Sequence, residues 1–226
     1  MPFRVKKGLP VGFFEDYAVI GDVHLGFEEE INLDGYNVYS KTEEITQSIL
    51  EINSKKLIML GDIRASFGRI TQQERGVLTT VLSRISDKFN EVIITKGNHD
   101  GGLDMITDKL ENVKLVGEFI YGKTGFIHGH ALPTTKLASE VSTICFGHLH
   151  PSVIVTDSNG VSYRKDCWSI FDVLLPKSKY KESSVKNAIA FPKFNPYIGS
   201  TDRTEGIGLI RYLHLRSRLD VDLVVV

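Results

Sequence analysis

Cysteine is scarce in this chain, and an excess of charge of either sign is absent. Cys145 and Cys167 are the only two cysteines. They show neither a Cys-x-x-Cys spacing nor the density of a disulfide framework, so a stapled secreted scaffold is excluded and free thiols are expected. Lys and Arg number 27 against 28 Asp and Glu, a formal net charge of −1, which leaves no chain-wide field for nucleic acid. Basic residues gather only locally, at Arg164-Lys165, at Lys177, Lys179 and Lys181, and at Arg211, Arg216 and Arg218. Such runs read as solvated faces or, at most, as a local strip for a phosphate backbone.

Long apolar runs are missing too, and none would span a bilayer. Gly8, Pro10 and Gly12 interrupt the chain soon after Arg4, Lys6 and Lys7, before a signal-peptide core can form. A soluble cytoplasmic protein is the expectation. No Pro/Ser/Gly-rich linker, low-complexity tract or internal repeat divides the 226 residues, a length that suits one well-filled core. A single domain over 1–226 follows.

What is present is a repeated event. Five times a short apolar run breaks at or beside a glycine and delivers side chains that bind metals well. The breaks are Gly21-Asp22-Val23-His24, Gly61-Asp62, Gly97-Asn98-His99-Asp100, His128-Gly129-His130 and Gly147-His148-Leu149-His150. Six of the seven histidines fall inside them. The preceding runs are short and rich in β-branched residues, as buried strands are, and ligand sites in α/β sheets lie at the carboxyl ends of strands. The five breaks are therefore expected to share one edge. Any one of them alone would be an ordinary turn; their succession is what carries meaning.

Helical spacing appears in Ile45, Ile49, Leu50 and Ile52, and again in Val77, Leu78, Val81, Leu82 and Ile85. Thr71 with Glu74 three residues on predicts a capping box. A shorter helix is expected through Leu103, Ile106 and Leu110. From about Val113 the pattern turns to strands, with a hairpin at Asp157-Ser158-Asn159-Gly160 and a terminal alternation of Leu219, Val221, Leu223 and Val225. His214 reads as an ordinary strand histidine. The fold class is a mixed α/β protein with a mixed sheet or two packed sheets.

Two carboxylates, one amide and four histidines drawn from these breaks form a hard-to-borderline oxygen and nitrogen set. It suits Mn²⁺ first, with Fe, Zn, Co or Ni as alternatives, and it suits calcium poorly. Seven ligands exceed the need of one tetrahedral ion but fit two ions if one carboxylate bridges. Such a pair holds phosphate oxygens and lowers the pKa of a shared water toward ~7 for in-line attack, which is phosphoester hydrolysis.

The series resembles the calcineurin-like metallophosphoesterases. Within them, His128-Gly129-His130-Ala131-Leu132-Pro133, Gly147-His148-Leu149-His150-Pro151 and Phe191-Pro192-Lys193-Phe194-Asn195-Pro196 resemble the small SbcD-related branch, similar to phosphoesterases associated with DNA ligase or helicases. The resemblance implies a four-layer αββα sandwich of two mixed β-sheets flanked by helices. It implies that Asp22, His24 and His150 hold the first ion, Asn98, His128 and His148 the second, and that Asp62 bridges. It gives His99 to the leaving group, Asp100 to the His99 imidazole, Asn98 to the substrate as well as to the second ion, and His130 either to the substrate or to support of the ligands. The implied substrate is a phosphodiester such as single-stranded DNA or RNA, with a helicase as partner and no membrane. Where that branch reads Gly-Asp-x-Lys-His, this chain reads Gly61-Asp62-Ile63-Arg64-Ala65. Arg64 keeps a cation able either to bind phosphate or to serve structurally, and Ala65 lacks an imidazole that resembles a substrate-positioning group. A phosphomonoesterase or small-molecule diesterase with the same site is one alternative. A non-catalytic scaffold docking a helicase or repair partner is the other.

Overall fold

The computed structural model describes residues 4–5, 8–33, 35, 37–201 and 208–218. The first sheet contains β1 (Arg4–Val5), β2 (Gly12–Phe14), β3 (Tyr17–Ile20), β4 (Lys56–Met59), β5 (Glu91–Thr95) and β6 (Val113–Val116), side by side in chain order. From β3 to β6 the strands run parallel, while β1, β2 and β3 form an antiparallel meander. Parallel neighbours need crossovers, and helices supply them: α1 (Phe27–Leu33) and α2 (Thr42–Leu50) before β4, α3 (Gln72–Lys88) before β5, and α4 (Asp104–Thr107) before β6.

The second sheet draws on β7 (Phe119–Tyr121), β8 (Thr124–Ile127) and, after α5 (Thr135–Glu140), β9 (Thr143–Phe146). A separate hairpin, β10 (Ser152–Thr156) with β11 (Ser162–Asp166), follows at the expected turn. The sheet is completed by β12 (Ser169–Val173), β13 (Asn187–Ala190) and β14 (Leu213–Arg218), in the order β14-β12-β13-β9-β8-β7. β13, β9 and β8 are mutually parallel and the remaining pairs antiparallel, so both six-stranded sheets are mixed.

Strand alternation sorts the apolar residues into three cores. Ala18, Ile20, Leu57, Met59, Val92 and Ile94 face Ile45 and Ile49 of α2 and Leu78, Leu82 and Ile85 of α3. Their neighbours Tyr17, Val19, Ile58 and Ile93 meet Phe126, Cys145 and Ile189 between the sheets. Ile127, Ile144, Phe146, Ala188 and Ala190 pack on the far side against Leu137 of α5 and Leu209 and Ile210. Three cores separate four layers, helix, sheet, sheet and helix, the expected αββα sandwich.

Thr71 caps α3 with the anticipated box: its hydroxyl accepts from the Glu74 N–H at 3.1 Å, and the Glu74 carboxylate accepts from the Thr71 N–H at 3.4 Å. The helix expected through Leu103, Ile106 and Leu110 is short: α4 has four residues, with Leu103 and Leu110 flanking it. His214 lies in β14 and neither cysteine forms a disulfide, as expected; His214 is exposed and both cysteines are buried. The alternation over 219–225 lies outside the described residues. Among the described residues, no helix is long and apolar enough to cross a membrane.

Candidate metal centre

All five breaks follow strands that run parallel within their sheets: β3, β4 and β5 in the first, β8 and β9 in the second. Their carboxyl ends meet at one edge. Asp22, His24, Asp62, His148 and His150 all take left-handed backbone conformations, with φ between 43° and 64°. Such a conformation costs a non-glycine residue of order 1–3 kcal/mol and survives only where its surroundings impose it. Here they do. The His24 N–H donates to the Asp62 carbonyl at 2.9 Å and the Leu25 N–H to the Ile63 carbonyl at 2.8 Å. Val23 and Leu149, between the paired site residues, are buried in the apolar cores and anchor their turns.

Two glycines owe their identity to close approach. A Cβ at Gly147 would lie 2.6 Å from Asp22 Oδ2, and one at Gly97 would collide with the Asp62 carboxylate. The spared space holds backbone donors. The His148 N–H reaches both Asp22 oxygens at 2.9 and 3.0 Å, and the His99 N–H reaches Asp62 Oδ1 at 3.0 Å.

The side chains fall into overlapping triads. Asp22, His24 and His150 form one, with Asp22 Oδ1 3.3 Å from His150 Nε2. Asp62, His128 and His148 form another, with Asp62 Oδ2 3.1 Å from His128 Nε2. A third joins His24, Asp62 and His99, whose Nε2 atoms stand 3.7 and 3.9 Å from the same Asp62 oxygen. In each triad the potential ligand atoms lie within 4.8 Å of one another. Asn98 Oδ1 and His148 Nδ1 are each 3.1 Å from His128 Nε2.

This donor set fits cations better than it fits itself. His128 Nε2 faces the Asp62, Asn98 and His148 acceptors with at most one proton to share. His24 Nε2 is buried with no hydrogen-bond partner among the described residues. Burial pulls the His24 imidazole down to about 4, and burial with the neighbouring His128 charge does the same to His148. Both are neutral at pH 7 and keep a lone pair for a metal. Burial opposes charge on His128, but the Asp62 hydrogen bond and the Asp22 and Asp62 charges outweigh it and raise the ring to about 9. Burial likewise opposes ionisation of Asp62, yet His128 and the His99 N–H hold its carboxyl well below the usual range.

Two expectations for the surrounding groups need correction. Arg64 does not present its guanidinium to a substrate. The residue is fully buried, its Nε and Nη2 grip Glu74 at 2.7 and 2.9 Å, and Nη1 donates to the carbonyls of Gly68 and Gly101. Asp100 does not hold the His99 ring. Its Oδ1 accepts from the Ile63 N–H and its Oδ2 from the Gly97 N–H, both at 2.8 Å, so it ties the two loops together. The His99 Nδ1 donates to the Ala65 carbonyl instead. Ala65 itself is buried.

His130 is partly buried, its ring centroid 5.3 Å from that of His128, and burial lowers its pKa. Sequence reasoning gave no role to Asn195 beyond its motif. Its buried amide donates to the Val23 and His24 carbonyls at 3.0 and 3.3 Å and secures the turn that carries Asp22 and His24. Phe67, also unassigned, lies against the His99 ring with centroids 3.6 Å apart.

The sequence description of the calcineurin-like phosphoesterases matches residues 16–225. The chain belongs to that family. Calcineurin-like phosphoesterases bind divalent metals, and the triads here could hold them. Among solved structures, the nuclease MPE of Pseudomonas putida shares the fold of this phosphoesterase, with a TM-score of 0.57 and 16% identity over 89% of this chain and 91% of that one. A protein of unknown function from Aquifex aeolicus, AQ665, gives 0.39 at 17% identity over 59% of this chain and 78% of its own. Wild-type Vps29 of Entamoeba histolytica complexed with zinc gives 0.32 at 12% identity over 81% and 79%. No curated protein matches the sequence.

Proposed function

We propose that this calcineurin-like phosphoesterase is a two-metal phosphodiesterase acting on nucleic acid or nucleotide-like substrates, as a single catalytic domain over 1–226. The observation that carries the reading is Asp62, a single carboxylate shared between one triad with His24 and His99 and one with His128 and His148. Asp22, His24 and His150 would hold the first ion, Asn98, His128 and His148 the second, and Asp62 both. The oxygen and nitrogen donors favour Mn²⁺, with Fe, Zn, Co or Ni as alternatives. When bound, the ions draw charge from the phosphate oxygens and lower the pKa of water toward ~7.

The remaining work falls to the chain. A carbonyl can only accept, so Ala65 keeps a proton on His99 Nδ1, and the exchangeable proton is confined to Nε2. That nitrogen is the one beside Asp62, where it can protonate the departing oxygen. Asp100 and Arg64 hold the loops carrying Asp62 and His99 in register. His130, whose ring neighbours that of His128, would touch substrate.

The substrate class rests on the resemblance to the SbcD-related branch and on the nuclease that shares the fold. The resemblance adds a helicase as a partner to be sought by co-purification. Two free, buried thiols suit a reducing compartment, and we place the protein in the cytoplasm. A Mn²⁺-dependent screen of single-stranded DNA, duplex DNA, RNA, cyclic nucleotides and aryl phosphates tests the reading. A bis-aryl diester is expected to turn over faster than its monoester. Monoester preference, or no diester hydrolysis with any of the five metals, overturns it.

A further inference from the structure

The loop after Asp62 is held on both sides of Phe67. The Ala65 N–H donates to the Leu25 carbonyl at 3.0 Å, the Ala65 carbonyl receives His99 Nδ1, and the Gly68 carbonyl receives Arg64 Nη1 at 2.8 Å. Between the last two anchors stands Phe67. Its ring lies 36° from the plane of the His99 imidazole with centroids 3.6 Å apart, yet 66% of the residue is exposed. One face of the phenyl covers a histidine of the cluster and much of the rest meets water. A large apolar ring fixed in solvent beside reacting groups forgoes burial that a bound planar group would supply.

We infer that Phe67 is a specificity residue that stacks on the nucleobase of the departing nucleotide. This rests on the phosphodiesterase reading, because His99 works on the leaving oxygen there and Phe67 is layered on His99. A planar group attached to that oxygen arrives beside the phenyl. Every base has a π face, so such a platform grips single strands without reading sequence. It also supplies affinity that a chain of net charge −1 does not draw from a chain-wide field.

The test uses the Mn²⁺-loaded full chain with a thymidine dinucleotide and the two analogues that each lack one base. Wild-type kcat/KM is expected to fall roughly 5–150-fold when the leaving-side base is missing, the span of one base–aromatic stack, and to change little when the other is missing. Phe67→Leu should collapse that ratio toward one, and Phe67→Trp should keep or enlarge it. Calorimetric affinities for the three dinucleotides are measured in parallel and should follow the same ratios. Equal loss on all three substrates in Phe67→Leu would mean that Phe67 merely positions His99, and equal wild-type handling of all three would mean that no base is gripped; either overturns the inference. A chain that hydrolyses none of them contradicts the phosphodiesterase reading, and the affinity ratio still decides the stack.

Discussion

Arg64 and Glu74 form a two-pronged ion pair at the root of the site, Nε to Oε1 at 2.7 Å and Nη2 to Oε2 at 2.9 Å, with the guanidinium fully buried. Glu74 is also the third residue of α3 and half of its capping box. One carboxylate thereby joins the helix amino terminus to the loop that carries Asp62. Removing one partner strands the other charge in the interior, which typically costs about 3–5 kcal/mol.

Glu74→Ala or Arg64→Ala should therefore lower Tm by roughly 6–20 °C for a chain of this size, read by calorimetry. Replacing both at once with apolar residues of similar volume, Arg64→Met with Glu74→Leu, should recover part of the loss. A double variant less stable than either single one would contradict the pairing.

Gly97→Ala aims a methyl group at the Asp62 carboxylate. It is expected to cost about 1–3 kcal/mol through crowding and to reduce metal content. Gly76→Ala, in exposed helix with nothing within 4 Å of the new Cβ, should instead gain roughly 0.5–1 kcal/mol. Denaturant titration together with elemental analysis of both variants checks the contrast.

The contrast between what the sequence disclosed and what it hid is physical. Each break such as Gly21-Asp22-Val23-His24 is local: a strand, a glycine and one or two candidate ligands within a few residues, and strand polarity then brings all five to one edge. The capping box was local as well. Arg64 was ambiguous by chemistry, because its fork fits a carboxylate as well as a phosphate. Its partner Glu74 is ten residues away in the next helix. Asp100 adjoins His99 in sequence, but the turn sends its carboxylate to backbone N–H groups. Asn195 acts on Val23 from 172 residues away, a contact no spacing rule reaches. The first helix, α1, hid behind an acidic run, Glu28-Glu29-Glu30, with little apolar periodicity.

His99→Gln separates chemistry from ligation. The ring is near enough to Asp62 for either role, at 3.9 Å. In the acid role, metal content stays near normal while turnover falls about 10²–10⁴-fold. The loss should be smaller for nitrophenyl esters, which leave without help. Equal losses for good and poor leaving groups would remove the acid role, and a lost ion would make His99 a ligand.

Affinity for single-stranded DNA should be modest and fall steeply with salt, since phosphate contacts must come from a local basic strip. Titration of a labelled oligonucleotide between low and physiological salt checks this. Tight, salt-insensitive duplex binding would be inconsistent with a chain of net charge −1.

If Asp62 joins two cation sites, as proposed, metal stoichiometry reads it out. Elemental analysis and calorimetry on the Mn²⁺-loaded chain should find two ions, with Asp62→Asn weakening both and Asp22→Asn chiefly one. A single ion at saturating metal in the intact chain, or an Asp62→Asn variant that binds two ions with unchanged affinity, would contradict it.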